Sequence, residues 1–326
     1  MNLENDQLLF FVDKIKLQTE NMQKYRDQIN NLKAKLEAKI KKDQTTGLKV
    51  TKFLLAGSWK KRTILKASGD HPIDIDLVLY VGGDENIQND LGKLHDYIVN
   101  YLEQIYPQKD IKRDVDAKGN TKSITIRFAT SGLEVDIVPV VPIAEPERYV
   151  WQPQRGGGGT YITSIENHLD FSLQKRQNNK SYTAIVRMLK HWKNYKELKP
   201  TEFEGGISSF AIELIVAYLD EKRGIETNIE EAIIRFFQFV SSSNFPIVKF
   251  EHGINSIPSY STPIYISDDT NNENNAAKKI DQAKWDEIIE EAEKAFDALN
   301  YAQSIKAEGT TIEEWKTIFG PTFNIK

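Results

Sequence analysis

The sequence predicts an α+β fold, in which a mixed α/β first half is followed by a helical second half. Three observations carry this. Ile73–Val81 (IDIDLVLYV) alternates with period two. Ser123–Ala129 (SITIRFA) and Leu133–Val141 (LEVDIVPVV) read as antiparallel strands joined by a turn at Thr130-Ser131-Gly132. From about residue 163 onward the apolar spacing becomes that of helices.

Taken in order, residues 4 to about 41 read as one long helix. Met22, Tyr25, Ile29, Leu32, Leu36 and Ile40 recur at spacings of three and four, which makes one stripe. A helix packed across the body of the fold is expected, with a coiled-coil seam as the alternative. Lys49–Ala56 is β-like and is broken by Gly57-Ser58. Residues 88–105 read as a helix with Leu91, Leu94, Ile98, Leu102 and Ile105 on its buried side. The four glycines Gly156–Gly159 read as a mobile loop near the junction of two lobes. Helices are expected at 181–196, 207–223, 229–241, 276–305 and 311–319, with the polar stretch 266–275 as a loop between them. The expected division is residues 1–160, a core lobe with its long N-terminal helix, and residues 161–326, a helical lobe.

Composition narrows the function. Of 326 residues, 40% are hydrophobic and 28% charged, the balance of a soluble globular chain. No run reaches the roughly 18 apolar residues of a membrane span, and the N-terminus carries acids ahead of its apolar stretch, unlike a signal peptide. The absence of cysteine excludes disulfides and thiolate zinc sites and fits a cytoplasmic protein. A net charge of −4 gives no global basic field for a long nucleic acid.

Three features point to chemistry. Gly57-Ser58 ends a strand and is followed by Lys60, Lys61 and Arg62. Glycine admits a phosphate close to the backbone, and the serine hydroxyl adds a donor. Asp74 and Asp76 lie two apart on a predicted strand, so both carboxylates share a face while Ile73, Ile75 and Leu77 share the other. A solvated strand face is the alternative for that pair alone. Asp136, in LEVDIVPVV, puts a third carboxylate on a later strand. Three oxygen ligands of this kind suit Mg²⁺, with Mn²⁺ able to substitute. Two such ions serve an attacking hydroxyl and a leaving pyrophosphate, and Asp136 is placed to help remove the hydroxyl's proton. No cysteine nucleophile exists and no Ser-His-acid order stands out.

The order Gly-Ser, then D-x-D, then a single later Asp resembles the polymerase-β-type nucleotidyltransferases. GSWKKRT…DIDLVLYV and LEVDIVPVVP look like the core of the bacterial cGAS/DncV-like nucleotidyltransferases, relatives of the oligoadenylate synthetases. MLKHWKN followed by SSFAIELIVAYL resembles their helical lobe. DDTNNENNAA resembles a segment near the end of that lobe, with Asp269 and Asn272 where prolines are usual, and EEWKTIFGPTF resembles the C-terminal motif of bacterial members. The resemblance implies a polymerase-β-like lobe with a mixed sheet, fused to a helical lobe, with the active-site cleft between them. It implies two-metal joining of ATP and other nucleoside triphosphates into a cyclic di- or trinucleotide second messenger in antiphage (CBASS) defence. Asp74, Asp76 and Asp136 would then be the catalytic metal ligands. Gly57, Ser58, Lys190 and Ser208 or Ser209 would contact the nucleotide's phosphates. The implied partners are the nucleotides and an operon-encoded regulatory protein. Without cysteine there is no zinc thumb for sensing DNA, no membrane partner is expected, and a monomer is favoured.

Read without the resemblance, several of these residues have plainer roles. Lys190 beside Leu189 and Trp192 reads as a solvent-facing lysine, and Ser208 as a helix N-cap. Asn271–Asn275 read as turn chemistry, Trp151, Trp192 and Trp315 as core or interface anchors, and His71 and His191 as structural or exposed. Tyr260 or Tyr265 could stack on a base. The alternative functions are synthesis of linear oligonucleotides, transfer to an RNA, protein or small-molecule acceptor, and, from a different class, an inactive nucleotide-binding module.

Overall fold

The computed structural model describes residues 1–69, 71–83, 91–112, 122–154, 159–200 and 205–326. The expected loop at Gly156–Gly159 lies, apart from Gly159, outside the described residues. The fold is α+β, in two compact units: Leu17–Leu169, and Met1–Lys16 together with Asp170–Lys326. The division therefore falls at 169/170 rather than 160/161, and the first sixteen residues go with the helical unit.

In the sheet unit, β1 (Lys49–Leu55), β2 (Ile73–Gly82), β5 (Leu133–Pro142), β4 (Ile124–Phe128) and β3 (Asp110–Lys112) are ordered β1-β2-β5-β4-β3. Only β2 and β5 run parallel along this path, so the sheet is mixed as expected. A small hairpin, β6 (Val150–Pro153) and β7 (Thr160–Thr163), extends the end of β5. Period-two alternation gives the sheet two different faces. On one, Ile73, Ile75, Leu77, Leu79 and Val81 of β2 and Val135 and Ile137 of β5 join a core with Ile29, Leu32, Leu36 and Ile40 of α2 (Thr19–Lys42). Leu94, Ile98 and Leu102 of the helix at Leu94–Ile105, α4, complete that core. On the other face, Val78, Tyr80, Val138 and Val140 pack with Ala56, Val150 and Ile165. Asp74, Asp76 and Asp136 are on this second face, at its polar end. Between β1 and β2 lies the five-residue helix α3 (Gly57–Lys61).

The N-terminal stripe does not form one helix. α1 (Asn5–Ile15) ends at Lys16, and Lys16 and Gln18 are both extended before α2 begins. The break separates two apolar stripes with different destinations. Leu8, Phe11, Val12 and Ile15 are buried on α1, and the Phe11 ring meets Phe319 and Phe323 in the helical unit. The stripe of α2 feeds the sheet core instead.

The helical unit takes in most of α5 (Ile165–Asn178), then α6 (Tyr182–Tyr195), α7 (Ser209–Arg223), α8 (Ile229–Val240), α9 (Gln282–Ser304) and α10 (Glu308–Phe319). Trp192 packs edge-on against Phe236 and Phe237, and Trp315 stacks on Phe319 and Phe323. Trp192 and Trp315 are thus core anchors, whereas Trp151 on β6 is 37% exposed. The stretch 266–275 is a loop between helices, as expected, but much of it is buried. Ser267 through Asn272 are buried, and side chains of the segment bond its own backbone and the neighbouring chain. Asp268 Oδ1 accepts from Thr270 N, Thr270 Oγ1 and Asn271 N, and Asn272 Nδ2 donates to the carbonyls of Phe250 and Gly253. No described helix is long and apolar enough to cross a membrane.

Candidate active site

In the parallel register of β2 and β5, Asp74 pairs with Glu134 and Asp76 with Asp136. Paired residues on neighbouring strands point to the same face, so four carboxylates share one end of it. Asp74 is exposed, Asp76 and Asp136 are half-buried, and Glu134 is buried. The next strand, β4, sorts the four. Opposite Glu134 stands Arg127, whose Nε donates to Glu134 Oε1 at 2.6 Å, an ion pair that compensates this acid. Opposite Asp136 stands Thr125, whose hydroxyl donates to Asp136 Oδ1 and fixes that carboxylate. Asp74, Asp76 and Asp136 are the set that fits a hard divalent cation.

The Gly57-Ser58 turn is built onto this set. As β1 ends, Ala56 N donates to the Asp76 carbonyl at 3.0 Å. Gly57 then turns into α3 with φ +54°, the left-handed region. A Cβ on Gly57 would lie 1.6 Å from Asp76 Oδ2, so only glycine fits against this carboxylate. Ser58 follows at once. Its carbonyl accepts from Thr63 N at 2.9 Å, and buried Trp59 and Thr63 fasten the short helix to the core.

In the helical unit, the helical period places Lys190 and Lys193 of α6 on one face. The lysine expected to face solvent does not: Lys190 is 5% exposed and lies 3.7 Å from the Glu213 carboxylate on α7. Lys193 is equally buried, and its Nζ donates to Ser209 Oγ at 3.0 Å. Burial, then the neighbouring Lys190 and Lys199, push the Lys193 ammonium down to about 7, with Glu213 opposing. Ser208 is the N-cap of α7, its hydroxyl accepting from Ala211 N at 3.0 Å. That end of α7 is seated by Ile207 N donating to the Leu198 carbonyl, with Gly206 against the backbone of Leu198 and Lys199.

All eight residues expected from the sequence are described, and they form two groups. Gly57, Ser58, Asp74, Asp76 and Asp136 assemble in the sheet unit; Lys190, Ser208 and Ser209 assemble in the helical unit. Sequence reasoning missed Thr125, the Arg127–Glu134 pair and Lys193. The first three follow only from hairpin register. Lys193 was signalled by its spacing of three from Lys190. His191 Nε2 lies 3.0 Å from the Phe319 carbonyl and its ring meets Phe11, a structural use. Tyr265 is buried with its hydroxyl donating to the carbonyls of Asn272 and Glu273, so it braces the buried polar segment.

Comparison with known proteins places this geometry. Residues 1–166 match the family described as the Second Messenger Oligonucleotide or Dinucleotide Synthetase domain. The chain is 30% identical over 329 residues to the CBASS oligonucleotide cyclase CdnC of Escherichia coli strain KTE188, covering 100% of this chain and 99% of the relative. It is 30% identical over 318 residues to the cyclic AMP-AMP-AMP synthase of E. coli strain MS 115-1, covering 96% and 95%. The solved E. coli MS115-1 CdnC structures superimpose with TM-scores of 0.79 in the ATP complex and 0.77 in a complex with HORMA-deltaN. They are 29% and 28% identical and cover 99% of this chain, and 99% and 98% of theirs. A domain match over half the chain and full-length identity with cyclases make this chain a member of the second messenger oligonucleotide or dinucleotide synthetase family, a cGAS/DncV-like nucleotidyltransferase that synthesises a cyclic oligonucleotide.

Proposed function

We propose that the chain joins ATP units, alone or with another nucleoside triphosphate, into a cyclic di- or trinucleotide for antiphage signalling, with Asp74, Asp76 and Asp136 as its Mg²⁺ ligands. The observation that carries this is the register of β2, β5 and β4. It sets three carboxylates together beside Gly57 and neutralises the fourth with Arg127. The 30% identical cyclic AMP-AMP-AMP synthase favours a ring of three adenylates.

The donor set is all oxygen and partly open to solvent, and glycine at position 57 lets the Gly57-Ser58 turn approach the Asp76 carboxylate, so the residues fit Mg²⁺ or Mn²⁺. When bound, the ions supply charge neutralisation for the phosphate oxygens and acidify the attacking hydroxyl. Ser58 donates its hydroxyl to a phosphate oxygen of the donor nucleotide. Asp136, its Oδ1 held by Thr125, orients toward the attacking ribose hydroxyl and draws off its proton. The ribose oxygen forms a bond to the α-phosphorus as the α–β bridging bond breaks and pyrophosphate leaves. Repetition closes the ring. In the helical unit, Lys190 and the Ser208-Ser209 start of α7 contact the triphosphate, a role supported by two buried lysines at a helix N-terminus. A HORMA-type regulatory protein is the partner class that the CdnC:HORMA-deltaN complex supports.

The test is incubation with Mg²⁺ and labelled nucleotides, singly and mixed, then phosphatase and mass spectrometry. A phosphatase-resistant ring that disappears in Asp74→Asn and Asp76→Asn is expected. A linear, phosphatase-trimmed product would overturn ring closure, and full activity in either variant would overturn the ligand set.

A further inference from the structure

Among the described residues, Lys193 is a buried ammonium with little to compensate its charge. Its side chain is among the most buried of the described lysines, at 6% exposure. Its one hydrogen-bond partner, Ser209 Oγ, is neutral and is the first residue of the fifteen-residue helix α7. A helix N-terminus carries partial positive charge, so an ammonium aimed there is on the wrong end of the dipole. The other groups facing it are Lys190 from α6, Lys199 from the segment after α6, and Glu213 from α7. Glu213 is 3.7 Å from Lys190, and among the described residues no carboxylate lies within ion-pair distance of Lys193. Among the described residues, two buried lysines and a helix N-terminus thus converge near the Glu213 carboxylate. Such an arrangement costs stability unless an anion joins it.

We propose that Lys193, together with the Ser209 hydroxyl it holds, is a second phosphate-binding lysine beside Lys190, contacting the triphosphate of a bound nucleotide. This rests on reading the start of α7 as a phosphate site. A consequence follows for protons. In the free enzyme, burial and the adjacent lysines push this amine down to about 7, and a phosphate beside it pulls it back up. Below pH 7 the amine is already charged and binding is at full strength. Above pH 7 binding must take up a proton, and affinity falls as pH rises toward the value in the complex.

The experiment is calorimetric titration of the full chain with α,β-methylene-ATP and Mg²⁺, which binds without turnover. It is run from pH 6.5 to 8.5 in buffers of different ionisation enthalpy, on the parent, Lys193→Met and Lys190→Met. The parent should take up between about half a proton and one proton per nucleotide near pH 8. Lys193→Met should bind roughly 10- to 100-fold more weakly, the loss expected for charge-assisted hydrogen bonds. It should also lose the proton uptake and melt no lower than the parent, since a buried charge has gone. A lysine kept only for folding would give the opposite: a lower melting temperature with affinity intact. Lys193→Met binding within twofold of the parent while Lys190→Met is weakened would overturn the Lys193 assignment and leave the phosphate site standing. Parent-like binding in both variants would remove the site itself. If Lys193→Met fails to fold, Lys193→Gln takes its place, and parent-like affinity in that variant overturns the proposal.

Discussion

The backbone of Gly57 lies against the carboxylate of Asp76, so close that a methyl group there would sit 1.6 Å from Oδ2. This contact joins a turn from one strand to an acid from the next, so the position of Ser58 is tied to that of Asp76. Gly57→Ala should therefore displace Asp76 or unwind α3, and the left-handed φ of +54° adds strain of about 1–3 kcal/mol. The expected result is a melting temperature several degrees lower and turnover reduced at least ~100-fold, because a carboxylate moved by about 1 Å no longer fits its site. Turnover within threefold of the parent would mean that the turn does not set the Asp76 position.

Asp136 and Thr125 make a second pair whose effects separate. Asp136→Asn removes a proposed metal ligand and should abolish product while the protein melts normally. Thr125→Val keeps shape and removes only the hydroxyl that holds Oδ1. Losing such a supporting hydrogen bond should lower kcat by roughly 10-fold, with KM for ATP nearly unchanged. An unaltered kcat in Thr125→Val would show that the sheet backbone alone orients Asp136.

These two pairs also mark how far the sequence could be read. Asp74, Asp76 and Asp136 were legible because period-two alternation fixes faces: Ile73, Ile75 and Leu77 had to go inward, so the acids had to go outward. Partners across strands were not legible, since they depend on register, and a shift of one residue in the β4–β5 hairpin would put Arg127 and Thr125 on the other face. Lys190 was misread from its neighbours alone. Its burial depends on Glu213 of α7, which no local pattern connects to it. The 266–275 stretch was legible as a loop, but its burial was not, because composition does not show where hydrogen bonds go. Its Asp and Asn side chains satisfy the local backbone, which is what lets so polar a segment be buried.

Glu230 predicts a pH dependence of stability. It is fully buried on α8, accepts from Leu3 N at 3.1 Å, and burial pushes its carboxyl from 4.5 up to about 7. Between those values the folded protein holds a proton that the unfolded chain has released, so stability is complete below about pH 4.5 and is lost as pH rises to about 7. Glu230→Gln keeps an acceptor for Leu3 and removes the buried charge. Its melting temperature should exceed the parent's at pH 8, by the equivalent of about 1–3 kcal/mol, and the gain should shrink toward pH 5. A gain that does not change with pH would show that the carboxyl does not titrate in this range.

The split of the N-terminal stripe gives a prediction about which unit each half stabilises. Phe11 on α1 is fully buried, with its ring 4.8 Å from Phe323, 5.4 Å from His191 and 6.1 Å from Phe319. Truncating a phenylalanine in such a cluster leaves a cavity and typically costs about 3–5 kcal/mol. Leu32 on α2 is equally buried but belongs to the core beneath β2 and β5. Hydrogen exchange on the two variants should therefore diverge. Phe11→Ala should speed exchange in α6 and α10 and leave β2 and β5 protected, whereas Leu32→Ala should do the reverse. Equal loss of protection in both units from either substitution would show that they unfold as one cooperative body, because local opening energies differ only where cores are separate.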